Sequence, residues 1–213
     1  MKPPRPIQIG QCALPGELTT GPGCVGLVVF AHGSGSSRLS PRNRFVALHL
    51  QRHGLGTLLF DLLTDAEAAD REKVFDIGLL SDRLSEALDW IAAQGDLANV
   101  PIGLFGASTG AAAALTAVCL RPKRVGAVVS RGGRPDLALE ILPRVDAPTL
   151  LIVGGDDADV LRLNRVALDA LRCKKRLEIV PGATHLFEEA GALAAVADLA
   201  ANWFTEHLPQ VAK

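Results

Sequence analysis

The stretch Pro101–Leu120, PIGLFGASTGAAAALTAVCL, decides how the rest of the chain is read. A short apolar run, Ile102–Phe105, meets Gly106-Ala107-Ser108-Thr109-Gly110, and an alanine-rich helix follows to about Leu120. A serine between two glycines at a strand-to-helix junction fits the G-x-S-x-G pattern, in which a sharp turn lifts a hydroxyl above the end of a parallel sheet. A Cβ at either glycine would crowd that turn. The first turn of the helix has backbone N–H groups without intrahelical partners, so negative charge developing near Ser108 would meet donors.

Two other readings of the stretch are weaker. The run Leu97–Leu120 is uncharged and long enough to cross a bilayer. Proline, three glycines, Ser108 and Thr109 interrupt it, however, and much of the remainder is weakly apolar alanine. Gly103, Gly106 and Gly110 do not have the G-x-G-x-x-G spacing of a dinucleotide loop, and no G-K-[ST] follows for a phosphate loop.

Outward from this centre, buried-strand and helix patterns alternate. Val25–Ala31 is a continuous apolar run, the pattern of a strand covered on both faces, and His32-Gly33-Ser34-Gly35 follows at once. A helix is expected from Pro41 to Gly54, a strand at Thr57–Phe60 ending in Asp61, and an amphipathic helix over Ile77–Ala93. Beyond the centre come strands at Val125–Ser130, Thr149–Val153 and Arg176–Val180. A short helix is expected at Pro135–Leu142, another helix to about Leu171, and a last one at the C-terminus. Near the N-terminus, Pro6–Gly10 reads as edge structure with a hairpin around Pro15-Gly16. The alternation implies right-handed crossovers and one mostly parallel sheet, an α/β fold formed by residues 1–213 as a single domain.

Composition narrows the partners. With 22 basic and 23 acidic residues the charge nearly cancels, which gives no footprint for nucleic acid or an acidic membrane. Four scattered cysteines, Cys12, Cys24, Cys119 and Cys173, form no C-x-x-C pair and suit a reducing compartment. The N-terminus MKPPRPIQIG lacks the apolar segment of a secretory signal, so a cytoplasmic location is expected.

In an open α/β sheet the groups that meet in space are those at the C-terminal ends of strands. Four such ends carry useful chemistry here: His32-Gly33-Ser34, Ser108, Asp157 and His185. A serine hydroxyl needs an adjacent base, and the base needs an orienting carboxylate. Ser108, Asp157 and His185 stand in the order Ser…Asp…His, and each gap holds whole strand–helix units, so all three can reach one rim. Asp136, Asp156 and Asp159 are rivals for the carboxylate. His32 reads as a structural hydrogen-bonder. His49 and His53, at i, i+4 on a helix, have the spacing of a zinc pair, but Leu50 follows His49 where a glutamate would be needed, so an ordinary helix face is expected. Ser108 as a plain helix cap and His185 as a plain loop residue are the bland alternatives.

Over essentially its whole length the sequence resembles the α/β-hydrolase superfamily, and within it the small dienelactone-hydrolase-like hydrolases, some of which occur joined to phosphoribosyltransferase domains. The likeness is carried by FAHGSGSSR (Phe30–Arg38), LLFDLLT (Leu58–Thr64), GASTG (Gly106–Gly110), SRGGRPD (Ser130–Asp136), VGGDDADV (Val153–Val160) and GATHLF (Gly182–Phe187). The resemblance implies an α/β-hydrolase fold with a mostly parallel central sheet flanked by helices. It also implies Ser108 as nucleophile, His185 as base and Asp157 as acid, with an oxyanion hole from the backbone N–H groups of Ser34 and Thr109. The sequence departs from the family in two places. Dienelactone hydrolases proper use cysteine where this chain has Ser108, and many lipases and esterases have histidine where it has Ala107.

The expected activity is therefore hydrolysis of small carboxylic esters through an acyl-enzyme, with no cofactor and no metal. Thioester hydrolysis, acyl transfer, and a non-catalytic binding or docking role are the alternatives. Only Arg131–Pro148 separates two successive core strands where larger lipases insert caps, so a minimal cap and a shallow, open pocket are expected. Tyrosine is absent and the two tryptophans, Trp90 and Trp203, fall on predicted helices, which suggests no aromatic sugar platform. Arg38, Arg131 and Arg134 lie near strand ends, where they would meet either an anionic group or solvent.

Overall fold

The computed structural model describes residues 2–208. The apolar runs become strands β1 (Arg5–Ile9), β2 (Leu14–Thr19), β3 (Gly26–Ala31), β4 (Leu55–Phe60), β5 (Ile102–Ala107), β6 (Ala127–Arg131), β7 (Thr149–Gly154) and β8 (Lys175–Val180). They form one sheet in the order β1-β2-β4-β3-β5-β6-β7-β8. β1 pairs antiparallel with β2, and β2 antiparallel with β4; every other pairing is parallel. The expected mostly parallel sheet is present.

Helices cover both faces, which is why β3, β4, β5 and β7 are buried along their whole length. Strand alternation divides the core in two. Val28, Phe30, Phe105 and Val129 pack with α1 (Pro41–Arg52) and α7 (Ala192–His207). Leu27, Val29, Leu104 and Val128 point the other way, toward α4 (Ile77–Ala93) and α5 (Thr109–Leu120). Deleting one such leucine side chain would cost about 2–5 kcal/mol. Helix α5 has no polar face because it lies beneath α4 and the segment after β6, and its alanines let it sit close to β5. At the outer edge, β8 places Lys175, Arg176 and Glu178 outward, charges that discourage further strand addition.

Three local expectations change. The β1–β2 reversal falls at Gly10–Ala13, with Ala13 N–H donating to Gly10 O, and not at Pro15-Gly16, which lie inside β2. Pro15 is tolerated there because its ring needs no ladder donor at that position, and its carbonyl accepts from Asp61 N. Pro135–Arg144 forms a 3₁₀ run, broken at Ala138, in place of a regular helix. Two unforeseen short helices, α2 (Asp65–Ala68) and α3 (Arg71–Val74), lie between β4 and α4. A capping box starts α2: Glu67 N–H donates to Thr64 Oγ1 and Thr64 N–H to Glu67 Oε2. Between β7 and β8, helix α6 spans Ala158–Ala170. Among the described residues, no helix is long and apolar enough to cross a membrane.

Candidate active site

Ser108 sits between β5 and α5 with φ 50° and ψ −122°, a conformation that costs a non-glycine residue about 1–3 kcal/mol. Its backbone is held on three sides. Ser108 N donates to Arg131 O at 3.3 Å, and Ser108 O accepts from Ala111 N at 3.1 Å and Arg134 N at 3.0 Å. Glycine is required on both sides of it. A Cβ on Gly106 would lie 2.5 Å from the Ala111 Cα, and one on Gly110 would run into the carbonyls of Ala31 and His32.

Asp157 follows β7 as the cap residue of α6, yet its side chain accepts no hydrogen bond from that helix. Its Oδ2 instead lies 2.7 Å from Nδ1 of His185, in the loop after β8. An ionised carboxylate only accepts, so Nδ1 carries the proton and Nε2 keeps a free lone pair. The two loops are laced together at their bases, where Gly155 N donates to Val180 O at 2.8 Å and Asp156 N to Ala183 O at 3.0 Å. Phe187, two residues beyond His185, is buried in the left-handed region with φ 59°. Gly132 (φ 51°) lies against the histidine loop: a Cβ there would be 3.1 Å from His185 O and 3.5 Å from its ring Cε1. Because Ser108 is bonded to the neighbouring Arg131, the end of β6 links the serine turn to the histidine loop.

The rival carboxylates lie elsewhere. Asp136 is engaged at two points by Arg134, at 2.9 and 2.8 Å. Asp156 and Asp159 are exposed, and Asp159 lies 3.9 Å from Arg162.

On the other side of Ser108, Ser34 N–H donates to Thr109 Oγ1 at 3.0 Å. His32 fixes the base of this loop. Its Nε2 accepts from Leu62 N at 3.0 Å, which leaves the proton on Nδ1 to reach Gly33 O at 3.0 Å. Burial pushes its pKa below the ordinary value, partly offset by the Gly33 carbonyl and by Asp61. Asp61 accepts from Arg38 N at 2.6 Å and pairs with the Arg38 guanidinium.

The three strand-end arginines thus have protein partners. Arg38 holds Asp61, and Arg134 holds Asp136. Arg131 is buried without a carboxylate, donates to Asn43 Oδ1 at 3.3 Å, and lies over the Phe187 ring at 5.9 Å. Burial and the nearby Arg42 guanidinium lower its pKa to about 10. On α1, His49 turns its Nε2 to within 2.9 Å of Asp198 on α7, while His53 Nδ1 contacts His49 O.

A cleft of about 570 Å³ opens beside Ser34 and Thr109. Its polar lining includes Gly33–Ser37 and Asp61, its apolar lining Leu63, Ala68, Val74 and Leu80. The short Arg131–Pro148 connection led to the expectation of a minimal cap and an open pocket; residues between Asp61 and Leu80, after β4, line one side of this cleft. Glu67 also accepts from Arg83 Nη2 at 3.1 Å, which ties α2 to α4. The T-x-x-E box at Thr64–Glu67 was the available clue to this helix.

The sheet order, with an antiparallel edge on a parallel sheet, and the positive-φ serine at a strand–helix junction are those of an α/β hydrolase. A crystal structure of dienelactone hydrolase from Anabaena variabilis has a TM-score of 0.92 and 53% identity to this chain, covering 98% of it and 100% of that chain. The chain belongs to the dienelactone hydrolase family. A Mycobacterium tuberculosis protein provisionally named a phosphoribosyl transferase is 56% identical over 202 residues, 95% of this chain and 46% of the relative. The chain therefore spans about half the length of that relative. Est1E from Butyrivibrio proteoclasticus shares the fold at a TM-score of 0.81 with 14% identity, over 96% of this chain and 98% of that one. No protein-family profile matches the chain.

Proposed function

We propose that this chain hydrolyses small carboxylic esters through an acyl-enzyme on Ser108, with His185 as base and Asp157 as its orienting acid. The observation that carries the reading is the 2.7 Å contact of His185 Nδ1 with Asp157 Oδ2, at the same sheet end as the strained serine. With the Nδ1 proton held by Asp157, His185 Nε2 accepts the Ser108 hydroxyl proton as Oγ bonds to the ester carbonyl carbon. The carbonyl π pair moves onto oxygen, where donors at the start of α5 stabilise it. Collapse breaks the bond to the alcohol oxygen, which takes the proton from His185. Water then repeats the sequence on the acyl-enzyme, releasing the acid and restoring Ser108. No electrons leave or enter, and water is the only co-reactant.

Membership of the dienelactone hydrolase family supports hydrolysis as the reaction class. The cleft of about 570 Å³ supports a small substrate. A fluorophosphonate probe tests the reading: mass spectrometry should find the label on Ser108, and the Ser108→Ala protein should neither label nor turn over p-nitrophenyl acetate. Folded protein that resists the probe and cleaves no ester would instead mark a binding member of the fold.

A further inference from the structure

Thr109, the first residue of α5, is almost fully buried, yet it lines the cleft together with Ser34. Its hydroxyl already accepts the Ser34 N–H at 3.0 Å. That amide was expected to donate directly to an oxyanion; here it is directed into a side chain. A hydroxyl has two lone pairs and one proton, so accepting from Ser34 leaves the O–H free to donate. Moving the hydroxyl out of the way would require a new χ1 rotamer. Branching at Cβ leaves a buried threonine few χ1 rotamers.

On the serine-hydrolase reading above, we propose that Thr109 supplies two oxyanion donors, its backbone N–H and its side-chain O–H, and that Ser34 acts by donating its N–H into that hydroxyl. The arrangement is a relay of hydrogen bonds in which each polarises the next. No proton changes owner. As Ser108 Oγ bonds to the carbonyl carbon, the π pair moves to oxygen and the Thr109 O–H shortens its hydrogen bond to it. The pair returns when the leaving oxygen departs.

The test compares Thr109→Val, which keeps the shape and loses the hydroxyl, with Thr109→Ser, which keeps the hydroxyl. Thr109→Ala serves as a second hydroxyl-free variant that cannot overpack if valine disturbs folding. Each is assayed for kcat and KM on p-nitrophenyl acetate and for affinity to a trifluoromethyl ketone, whose adduct carries the oxyanion. Loss of the hydroxyl should lower kcat by about 10²–10³, the effect of removing one oxyanion donor, with KM little changed. Ketone affinity should fall by a similar factor, and Thr109→Ser, which retains the hydroxyl, should keep at least tenfold more of both than either hydroxyl-free variant. Valine and alanine variants with kcat near or above wild type would overturn the proposal. So would a fall in kcat with unchanged ketone affinity, because the hydroxyl would then only hold the Ser34 loop. Ser108→Ala run in parallel separates the two levels. If it keeps wild-type turnover, the serine-hydrolase reading falls and this proposal with it; if it is inactive while Thr109→Val is not, this proposal alone is overturned.

Discussion

Arg134 and Asp136 form a two-point ion pair, Nε to Oδ1 at 2.9 Å and Nη2 to Oδ2 at 2.8 Å, at the start of the 3₁₀ run after β6. The pairing raises the arginine pKa, chiefly through the Asp136 hydrogen bond. It also occupies both oxygens of the carboxylate that competes with Asp157 in the sequence. Asp157 has its side chain turned to His185 instead.

The two aspartates should therefore respond differently to amidation. Asp157→Asn is expected to lower kcat by about 10⁴, the scale seen for that change in a Ser-His-Asp triad, because the imidazole loses the partner that sets its tautomer. Asp136→Asn removes a half-exposed ion pair, worth about 0–1 kcal/mol, and should leave kcat within a few-fold. Ester kinetics of the two variants decide the point; a collapse confined to Asp136→Asn would move the acid to the loop after β6.

Ser108 is strained in its own right, with φ at 50°. Glycine accepts that backbone readily, although it costs about 0.5–1 kcal/mol more chain entropy on folding than alanine. Ser108→Gly should thus be more stable than Ser108→Ala by about 1 kcal/mol, a Tm difference of about 2–4 °C for a domain of this size. Both should lose ester turnover. Equal melting temperatures would show that the turn stores no strain.

His32 introduces a pH dependence whose sign follows from its surroundings. Burial lowers its pKa in the folded protein below the ordinary 6.5, so the unfolded chain binds the proton more readily. The stability its neutral form contributes is complete above about pH 6.5 and is lost as pH falls toward the lower folded value. Urea unfolding should show a decline between about pH 7 and pH 5 that is smaller in His32→Gln, whose amide oxygen can still accept from Leu62 N–H. An identical slope in both proteins would place the pH dependence elsewhere.

The cleft sets an expectation for chain length. Its apolar lining includes Leu63, Ala68, Val74 and Leu80, within a total of about 570 Å³. Each buried methylene contributes about 0.8 kcal/mol until the cleft is filled. Across p-nitrophenyl esters from acetate to palmitate, kcat/KM should peak at short to middle lengths and then fall. Val74→Trp should move the peak to shorter chains. A steady rise to palmitate would mean that the acyl group lies outside this cleft.

Much of the fold was legible because its causes are local. VGLVVFA at Val25–Ala31 is apolar at every position, which suits only a strand covered on both faces, and GASTG places glycine at the two points where the α5 turn touches β5 and β3. The order Ser108, Asp157, His185 follows from which residues end strands. The N-terminal hairpin was misjudged because Pro15-Gly16 has turn chemistry in isolation, whereas pairing with β4 holds those residues extended. The α2–α3 wall had a readable cap at Thr64 but too few residues to show helical periodicity.

The remaining decisions belonged to the tertiary structure. Asp136 and Asp157 are the same residue type after successive parallel strands, and hydrophobic pattern does not distinguish them. Arg134, two residues away in the same segment, pairs with Asp136, whereas His185 reaches Asp157 from 28 residues along the chain, across loops that the neighbouring strands β7 and β8 bring together. The Ser34 amide likewise meets the Thr109 hydroxyl 75 residues along the chain, because β3 and β5 are neighbours in the sheet. Hydrophobic periodicity specifies which segments become strands and helices. It carries no information about the partner of a single hydrogen-bonding group, which depends on the close approach of backbones that the packed sheet alone imposes.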